Sequence, residues 1–283
     1  MLTHAPPEGR AADGKGGHEP TDLMLPGTGL LRRAAVILRT LATAGSQGAP
    51  FINLAHAVGL PHATVHRLLR QLIDERLAMQ IEGSRRYALG PLAYEIGLAA
   101  AQQFDMRSLF SPVLAELASQ ARETIYLILR SGDEAVCVDI VEGPSAVRVV
   151  KLQIGSRRPL GLGAGGLAIL AALTPDESER VLRNVTAPIQ REWHLSEAFL
   201  RKSLSSTQRD GYALIRNRIT PGVTAVGRSF SDGLGRVLGA VSIAAVNDRM
   251  GPRALAGLQA PLSRTCASLE ASLRGRSWPL VSS

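Results

Sequence analysis

This chain of 283 residues has little cysteine, no long apolar run and no evident set of metal-ligating side chains. Its two cysteines, Cys137 and Cys266, lie far apart in apolar surroundings and lack metal-ligand spacing. They read as buried free thiols in a reducing cytoplasm. No stretch of eighteen apolar residues exists, so no segment is expected to span a membrane. The N-terminus lacks the charged-then-apolar pattern of a secretory signal, so a cytoplasmic location is expected. His4, His18, His56 and His194 form no cluster. His62 and His66 are four apart, but no third ligand is evident, and Ala63 stands where a zinc protease needs glutamate. Ser242 sits between Val241 and Ile243 with no histidine nearby in sequence. No catalytic residue, metal or cofactor is therefore expected.

What is present is globular in character. Apolar residues make up 45% and charged residues 20%, enough for two domains with cores of their own. The net charge is +8, and it is unevenly placed. Between Thr28 and Gly90 eight arginines face only Asp74, Glu75 and Glu82, which leaves +5 there. That concentration favours a polyanionic partner.

The stretch Asn53 to Glu75 explains the charge. Leu54, Ala55 and Val58 give a first helix an apolar side, and Gly59 suits a left-handed helix end. Pro61 suits the first turn of a second helix. In that helix Val65, Leu68, Leu69, Leu72 and Ile73 share one buried face. Ala63, His66, Arg67 and Arg70 lie opposite, with His62 and Thr64 flanking the helix start. This is the layout of a helix-turn-helix, whose second helix enters the major groove of duplex DNA. A helix over Leu31 to Ala44 precedes it, followed by a loop over Gly45 to Pro50. After it, Ala78 to Ile81 and Arg86 to Leu89 read as short strands about a Glu82–Arg85 turn, which makes a wing. His66, Arg67, Arg70 and Thr64 are candidate groove contacts. His62, Arg85 and Arg86 are candidate phosphate contacts.

The run GLPHATVHRLLRQL resembles the recognition-helix pattern of the IclR (isocitrate lyase regulator) family of bacterial transcription factors. Tyr87-Ala88-Leu89-Gly90 resembles the Tyr-x-Leu-Gly element that ends that family's wing. Glu123-Thr124, Gly211-Tyr212 and Gly222-Val223 are similar to local features of its effector domain. The likeness covers about Gly29 to Ala271. It implies an α+β chain: an N-terminal winged helix-turn-helix, a linker helix and a C-terminal GAF-like α+β effector-binding domain. The expected parts are a disordered arm at 1–27, the DNA-binding domain at 28–90, the linker helix at 91–105, the effector domain at 106–275 and a flexible tail at 276–283. One helix-turn-helix buries little surface, so a homodimer or dimer of dimers is expected, with helix one and the linker helix as seams.

Beyond the linker, Arg107 to Arg122 reads as a helix with Pro112 in its first turns. Strands are expected at Thr124–Arg130, Ala135–Val141, Val147–Ile154, Tyr212–Ile215, Thr224–Phe230 and Val237–Val246. Helices are expected at Leu167–Leu173, from the Thr174-x-x-Glu177 capping box, at Ala198–Arg209 and at Pro252–Arg274.

Gly161-Leu162-Gly163-Ala164-Gly165-Gly166 fits the dinucleotide pattern literally. That pattern needs a buried parallel strand directly before it, and Gly155-Ser-Arg-Arg-Pro159 intervenes. The glycines better suit a loop that opens a helix and offers its amides to a small carboxylate. The resemblance places Leu162, Gly163 and Ala164 on one wall of an effector pocket, and Val223, Ala225, Ser242 and Ala244 on the other. Gly161, Gly163 and Gly166-Leu167 stand where the family has His, Thr and Gly-Lys, and among the four opposite residues only Ser242 is polar. A bulkier or more apolar acid than a two- or three-carbon keto acid is the expected effector. Arg218 has two readings: a bidentate partner for its carboxylate, or a solvated loop arginine. The rival classes are an enzyme with an accessory DNA-binding domain and an architectural DNA-coating protein.

Overall fold

The computed structural model describes residues 28–103, 106–145 and 152–274. The expected arm at 1–27 and tail at 276–283 lie outside the described residues, as do residues 147–151 of the expected third strand. The first group of elements comprises α1 (Thr28–Ala44), β1 (Ala49–Pro50), α2 (Phe51–Val58), α3 (His62–Asp74), β2 (Ala78–Gln80) and β3 (Arg86–Leu89). Its core is the set of stripes read from the sequence: Ile37 and Leu41 of α1, Leu54 of α2, and Val65, Leu68, Leu69 and Leu72 of α3. Gly59 closes α2 in the left-handed conformation at φ 67°, and its N–H donates to Ala55 O. Pro61 stands one residue before the first helical residue of α3.

The wing is a three-stranded antiparallel sheet in the order β1-β3-β2. Its third member, β1, lies in what reads as loop. Two residues carry no periodicity, and β1 exists only because β3 pairs with it, Ala49 opposite Tyr87 and Pro50 opposite Arg86. Gly90 ends the wing where a Cβ would lie 2.2 Å from Arg76 O, which accounts for the glycine of the Tyr-x-Leu-Gly element. Helix α4 (Pro91–Gln103) follows, and an exposed ion pair, Arg76–Glu95 at 3.0 Å, joins its first turns to the segment between α3 and β2.

The second group comprises α5 (Met106–Ala121), β4 (Thr124–Ser131), β5 (Glu134–Val141), β6 (Arg157–Pro159), α6 (Gly163–Ala172), α7 (Pro175–Trp193), α8 (Glu197–Asp210), β7 (Ala213–Arg216), β8 (Val223–Ser231), β9 (Val237–Val246) and α9 (Pro252–Leu273). Its strands form one six-stranded sheet in the order β6-β5-β4-β9-β8-β7, every neighbour antiparallel. Residues Leu152 to Ile154, expected as strand, are coil and turn; the strand in this region is β6, three residues later. Helix α6 starts at Gly163, four residues before the expected Leu167, because the glycine run itself takes up the first helical turn.

Alternation along the strands splits the apolar residues between two layers. Tyr126, Ile128, Cys137, Ala240 and Ala244 face α6, α7 and α8. Ile125, Leu127, Val226, Val241 and Ile243 face α5 and α9. Covering both faces explains why β4 and β9 are apolar almost throughout. The Thr174 hydroxyl caps α7, accepting from Glu177 N–H at 3.4 Å, while the Glu177 carboxylate pairs with Arg130 of β4. Glu123, just before β4, is buried and holds Arg249 through both carboxylate oxygens.

Two glycines set the height of α6 above the sheet. A Cβ on Gly227 of β8 would lie 2.7 Å from both the carbonyl carbon and oxygen of Ala164. One on Gly165 would lie 2.8 Å from Ile128 Cγ1. The helix backbone therefore rests directly on the strands. Gly227→Ala is expected to destabilise this unit by about 1–3 kcal/mol through overpacking against backbone. A urea melt of the full chain checks it; a midpoint equal to that of the parent would show that α6 moves freely.

Candidate nucleic-acid interface and effector cavity

Helix α3 presents the face that the spacing predicts. His62, Ala63, His66, Arg67 and Arg70 are exposed, Thr64 is half-buried, and Val65, Leu68, Leu69 and Leu72 are buried. Among the described residues, no hydrogen bond or ion pair holds Arg67, Arg70 or Arg85. Arg67 and Arg70 line a groove whose other wall includes Gln80 and Tyr87 of the wing.

Three of the candidate residues, a histidine pair and an arginine, make contacts within the chain. The His66 ring stacks on Phe51 at 3.8 Å between centroids and 13° between planes. His62 meets the same ring edge-on at 5.4 Å. The i,i+4 spacing of these histidines thus clasps an aromatic ring at the start of α2, and among the described residues no metal-holding cluster forms. Arg86 is the second case. Its Nε donates to Gln47 O and its Nη2 to Gly48 O, both at 2.7 Å, which latches the loop before β1 onto β3. These bonds give Arg86 a structural role beside the expected phosphate contact: its pairing with Pro50 turns the guanidinium toward those carbonyls. Arg85, one residue nearer the tip, is exposed at the turn. Arg85→Ala is expected to weaken binding to all duplexes alike and to reduce the salt slope by about 1, leaving stability intact. Arg86→Ala should instead lower the melting temperature of the DNA-binding unit. Salt-titrated anisotropy and a thermal melt of both variants separate these roles; exchanged outcomes would reverse the assignment.

The second site lies between α6 and the sheet. A mostly apolar cavity is lined by Leu162, Gly163 and Ala164 on one side. Val223, Ala225, Ser242 and Ala244 line the other. Strand parity puts them together: positions 223 and 225 of β8 and 242 and 244 of β9 share the face toward α6. Gly163, at φ 74°, opens α6, so the positive end of the helix borders the cavity. The antiparallel setting of the preceding strands rules out a dinucleotide fold here. The glycines serve the left-handed turn at 161–163 and the close seat of α6.

Arg218 does not line this cavity. Asn217, at φ 55°, accepts from Gly222 N–H and from the Asn247 amide, and the turn so formed leaves Arg218 outside. Its guanidinium is exposed and lies 5.1 Å over the Phe199 ring, which agrees with the reading of a solvated loop arginine. The arginine that does line the cavity is Arg158, which sequence reasoning passed over as part of an intervening loop. It is half-buried on β6, 5.0 Å above the Trp193 ring, with Nη1 3.9 Å from where a Gly163 Cβ would be. Desolvation by burial lowers its pKa. Tyr126, Ser156 and Thr220 add hydroxyls to the lining, and Cys137 adds a thiol. Burial, then the charge of Asp139, pushes that thiol up to about 12; burial likewise pushes Cys266 to about 12. Neither is a nucleophile at neutral pH.

A winged helix-turn-helix with an open basic face, joined through a helix to an α+β unit that encloses a ligand-sized cavity, defines a DNA-binding regulator with a ligand-binding domain. Comparison with known proteins gives the family. Residues 30–82 match the IclR helix-turn-helix domain, and residues 98–270 match the C-terminal domain of bacterial transcriptional regulators of the IclR type. The chain belongs to the IclR family of bacterial transcriptional regulators. It is 34% identical to an HTH-type transcriptional regulator of Mycobacterium tuberculosis, over 74% of this chain and 79% of that protein. With the transcriptional repressor IclR of Escherichia coli it shares 26% identity, over 70% of this chain and 74% of that one. An IclR family transcriptional regulator of Brucella abortus superposes with a TM-score of 0.71 at 24% identity, covering 86% of this chain and 92% of that chain. An IclR homologue from Microbacterium hydrocarbonoxydans, solved in complex with 4-hydroxybenzoate, superposes with a TM-score of 0.63 at 19% identity, covering 87% and 99%. These relatives are regulators of transcription. Among the described residues no helix is long and apolar enough to cross a membrane.

Proposed function

We propose that this protein binds operator DNA as a homodimer or dimer of dimers and that a small organic acid in the α6 cavity changes that binding. The observation that carries the reading is the exposed face of α3, where the guanidiniums of Arg67 and Arg70 have no partner among the described residues. Such groups can pair bidentately with guanine edges, while Thr64 and Ala63 suit the thymine methyl or a phosphate. Arg85 and His62 are the proposed backbone contacts, and His66 contributes mainly by fixing α3 against Phe51. The working divisions are residues 28–90 for DNA, 91–105 for the linker and 106–275 for the effector.

The case for a second subunit rests on α4 and α1. Tyr94, Ile96 and Leu98 of α4 are 68%, 53% and 52% exposed, and Leu31 of α1 is 78% exposed. Apolar side chains that crowd a linker helix and stay exposed among the described residues suit a partner helix. Two heads held in this way would meet two half-sites on one face of the duplex.

The acid reading rests on a cavity of apolar residues that also holds the amino end of α6, Ser242 and one guanidinium. The test is selection of a binding duplex from a random library by the full-length protein, followed by a thermal-shift screen of aromatic and aliphatic acids. Recovery of a palindromic site and stabilisation by at least one acid is the expected result. Equal retention of all sequences would favour an architectural role instead.

A further inference from the structure

Residues 152–158 have two faces, and the two faces belong to different sites. Leu152, Ser156 and Arg158 line the α6 cavity. Gln153, Gly155 and Arg157 turn the other way, toward the DNA-binding unit. Gln153 Oε1 lies 2.6 Å from where a Cβ on Gly45 would be, and Ala42 O lies 3.9 Å from where one on Gly155 would be. Arg157 shares a polar cleft with Arg39, Thr40 and Thr43 of α1. The segment touches the C-terminal end of α1, which packs directly on α2 and α3.

The segment is also lightly held. β6 is an edge strand of three residues, with β5 as its single strand neighbour among the described residues. Before it, Gly155 N–H donates to Cys137 O at 2.7 Å, and Cys137 N–H donates to Ser156 O at 2.9 Å. Arg157 is tied to Glu134 at 2.9 Å and donates to Ser131 Oγ at 2.8 Å. An element with one strand neighbour and a short ladder can shift as a unit at small cost.

We propose that Arg158 is the residue by which the cavity selects a carboxylate, and that residues 152–158 carry its occupancy to the DNA-binding head. This rests on the reading of the cavity as the effector site. A guanidinium seated on an indole ring, beside a helix amino terminus and among apolar groups, favours a monocarboxylate carried on an apolar body. Engaging Arg158 fixes β6 on its inner face. The outer face then fixes Gln153 and Arg157 against the end of α1. The acid thereby favours one placement of the head over another, which is the differential affinity that any such effect requires.

The experiment uses the full-length chain with benzoate, 4-hydroxybenzoate, phenylacetate and hexanoate as probes and benzyl alcohol as the uncharged match. Binding is read by calorimetry and the DNA response by anisotropy on the selected duplex. Arg158→Met is expected to weaken the acids about tenfold or more and leave benzyl alcohol unchanged. Gln153→Ala and the charge-preserving Arg157→Lys are expected to bind the acids as the parent does but to lose the acid-dependent change in DNA affinity. Amide exchange over residues 42–48 should respond to acid in the parent and not in Gln153→Ala. If both outer-face variants keep the full response, the relay is overturned and the cavity reading stands. If Arg158→Met loses acid and alcohol equally, the carboxylate assignment fails. If no probe binds the parent protein, the cavity reading fails and this proposal with it.

Discussion

Arg67→Ala is expected to lower affinity for the selected duplex by about 1–3 kcal/mol, roughly 5–150-fold, while binding to a scrambled duplex falls much less. The argument is geometric. Arg67 stands at the centre of the exposed face of α3, three residues from both Thr64 and Arg70, with Leu68 and Leu69 locking the helix from behind. Its backbone is therefore placed before DNA arrives, and only its side chain must be ordered on binding. Because the residue is exposed and has no partner among the described residues, truncation should leave folding untouched. Competition anisotropy at fixed salt is the measurement. Equal losses on the selected and scrambled duplexes would make Arg67 a phosphate contact and move base reading elsewhere on the helix.

The second large effect is expected from Gly163→Asp: loss of the response to every acid, with DNA affinity in the absence of acid kept within about twofold, since the site is remote from α3. Two causes combine. Gly163 sits at φ 74°, where a residue with a Cβ is strained by about 1–3 kcal/mol. The new side chain would also start with its Cβ 3.9 Å from Arg158 Nη1, so its carboxylate could take the position proposed for the ligand's own. Gly163→Ala carries the strain without the charge, so it should lower the melting temperature similarly yet retain a weakened response. An aspartate variant that still responds fully would remove this loop from the binding site.

The helix-turn-helix was legible because its information is local. The apolar stripe of α3, Gly59 at the end of α2 and the Thr174 capping box each need only neighbours within four residues. The far wall of the cavity came from the family resemblance, and the structure supplies its reason: parity along β8 and β9 sends Val223, Ala225, Ser242 and Ala244 to one face. What stayed hidden depends on contacts distant in sequence. The two residues of β1 have no pattern until β3 lies beside them. The clasp of Phe51 by two histidines looks, from spacing alone, like a metal site or a pair of DNA contacts.

The exchange of Arg218 for Arg158 has the same origin. In a three-residue edge strand a shift of one residue decides which of Arg157 and Arg158 faces inward. Nothing within the run Arg157-Arg158-Pro159 marks that choice. It is set by Arg157 pairing with Glu134 and by the register of β6 on β5, Val136 opposite Arg157. An arginine pair at the entrance of a glycine-rich turn is the one signal the sequence offers there.

The most direct test of the account is a salt-titrated anisotropy measurement of the full-length protein on its selected duplex and on a scrambled one. Tighter binding to the selected duplex by about a thousandfold or more, with affinity for both falling steeply as salt rises, is the predicted result. Equal affinity for the two duplexes, or binding indifferent to salt, would contradict the assignment of α3 as a sequence-reading helix.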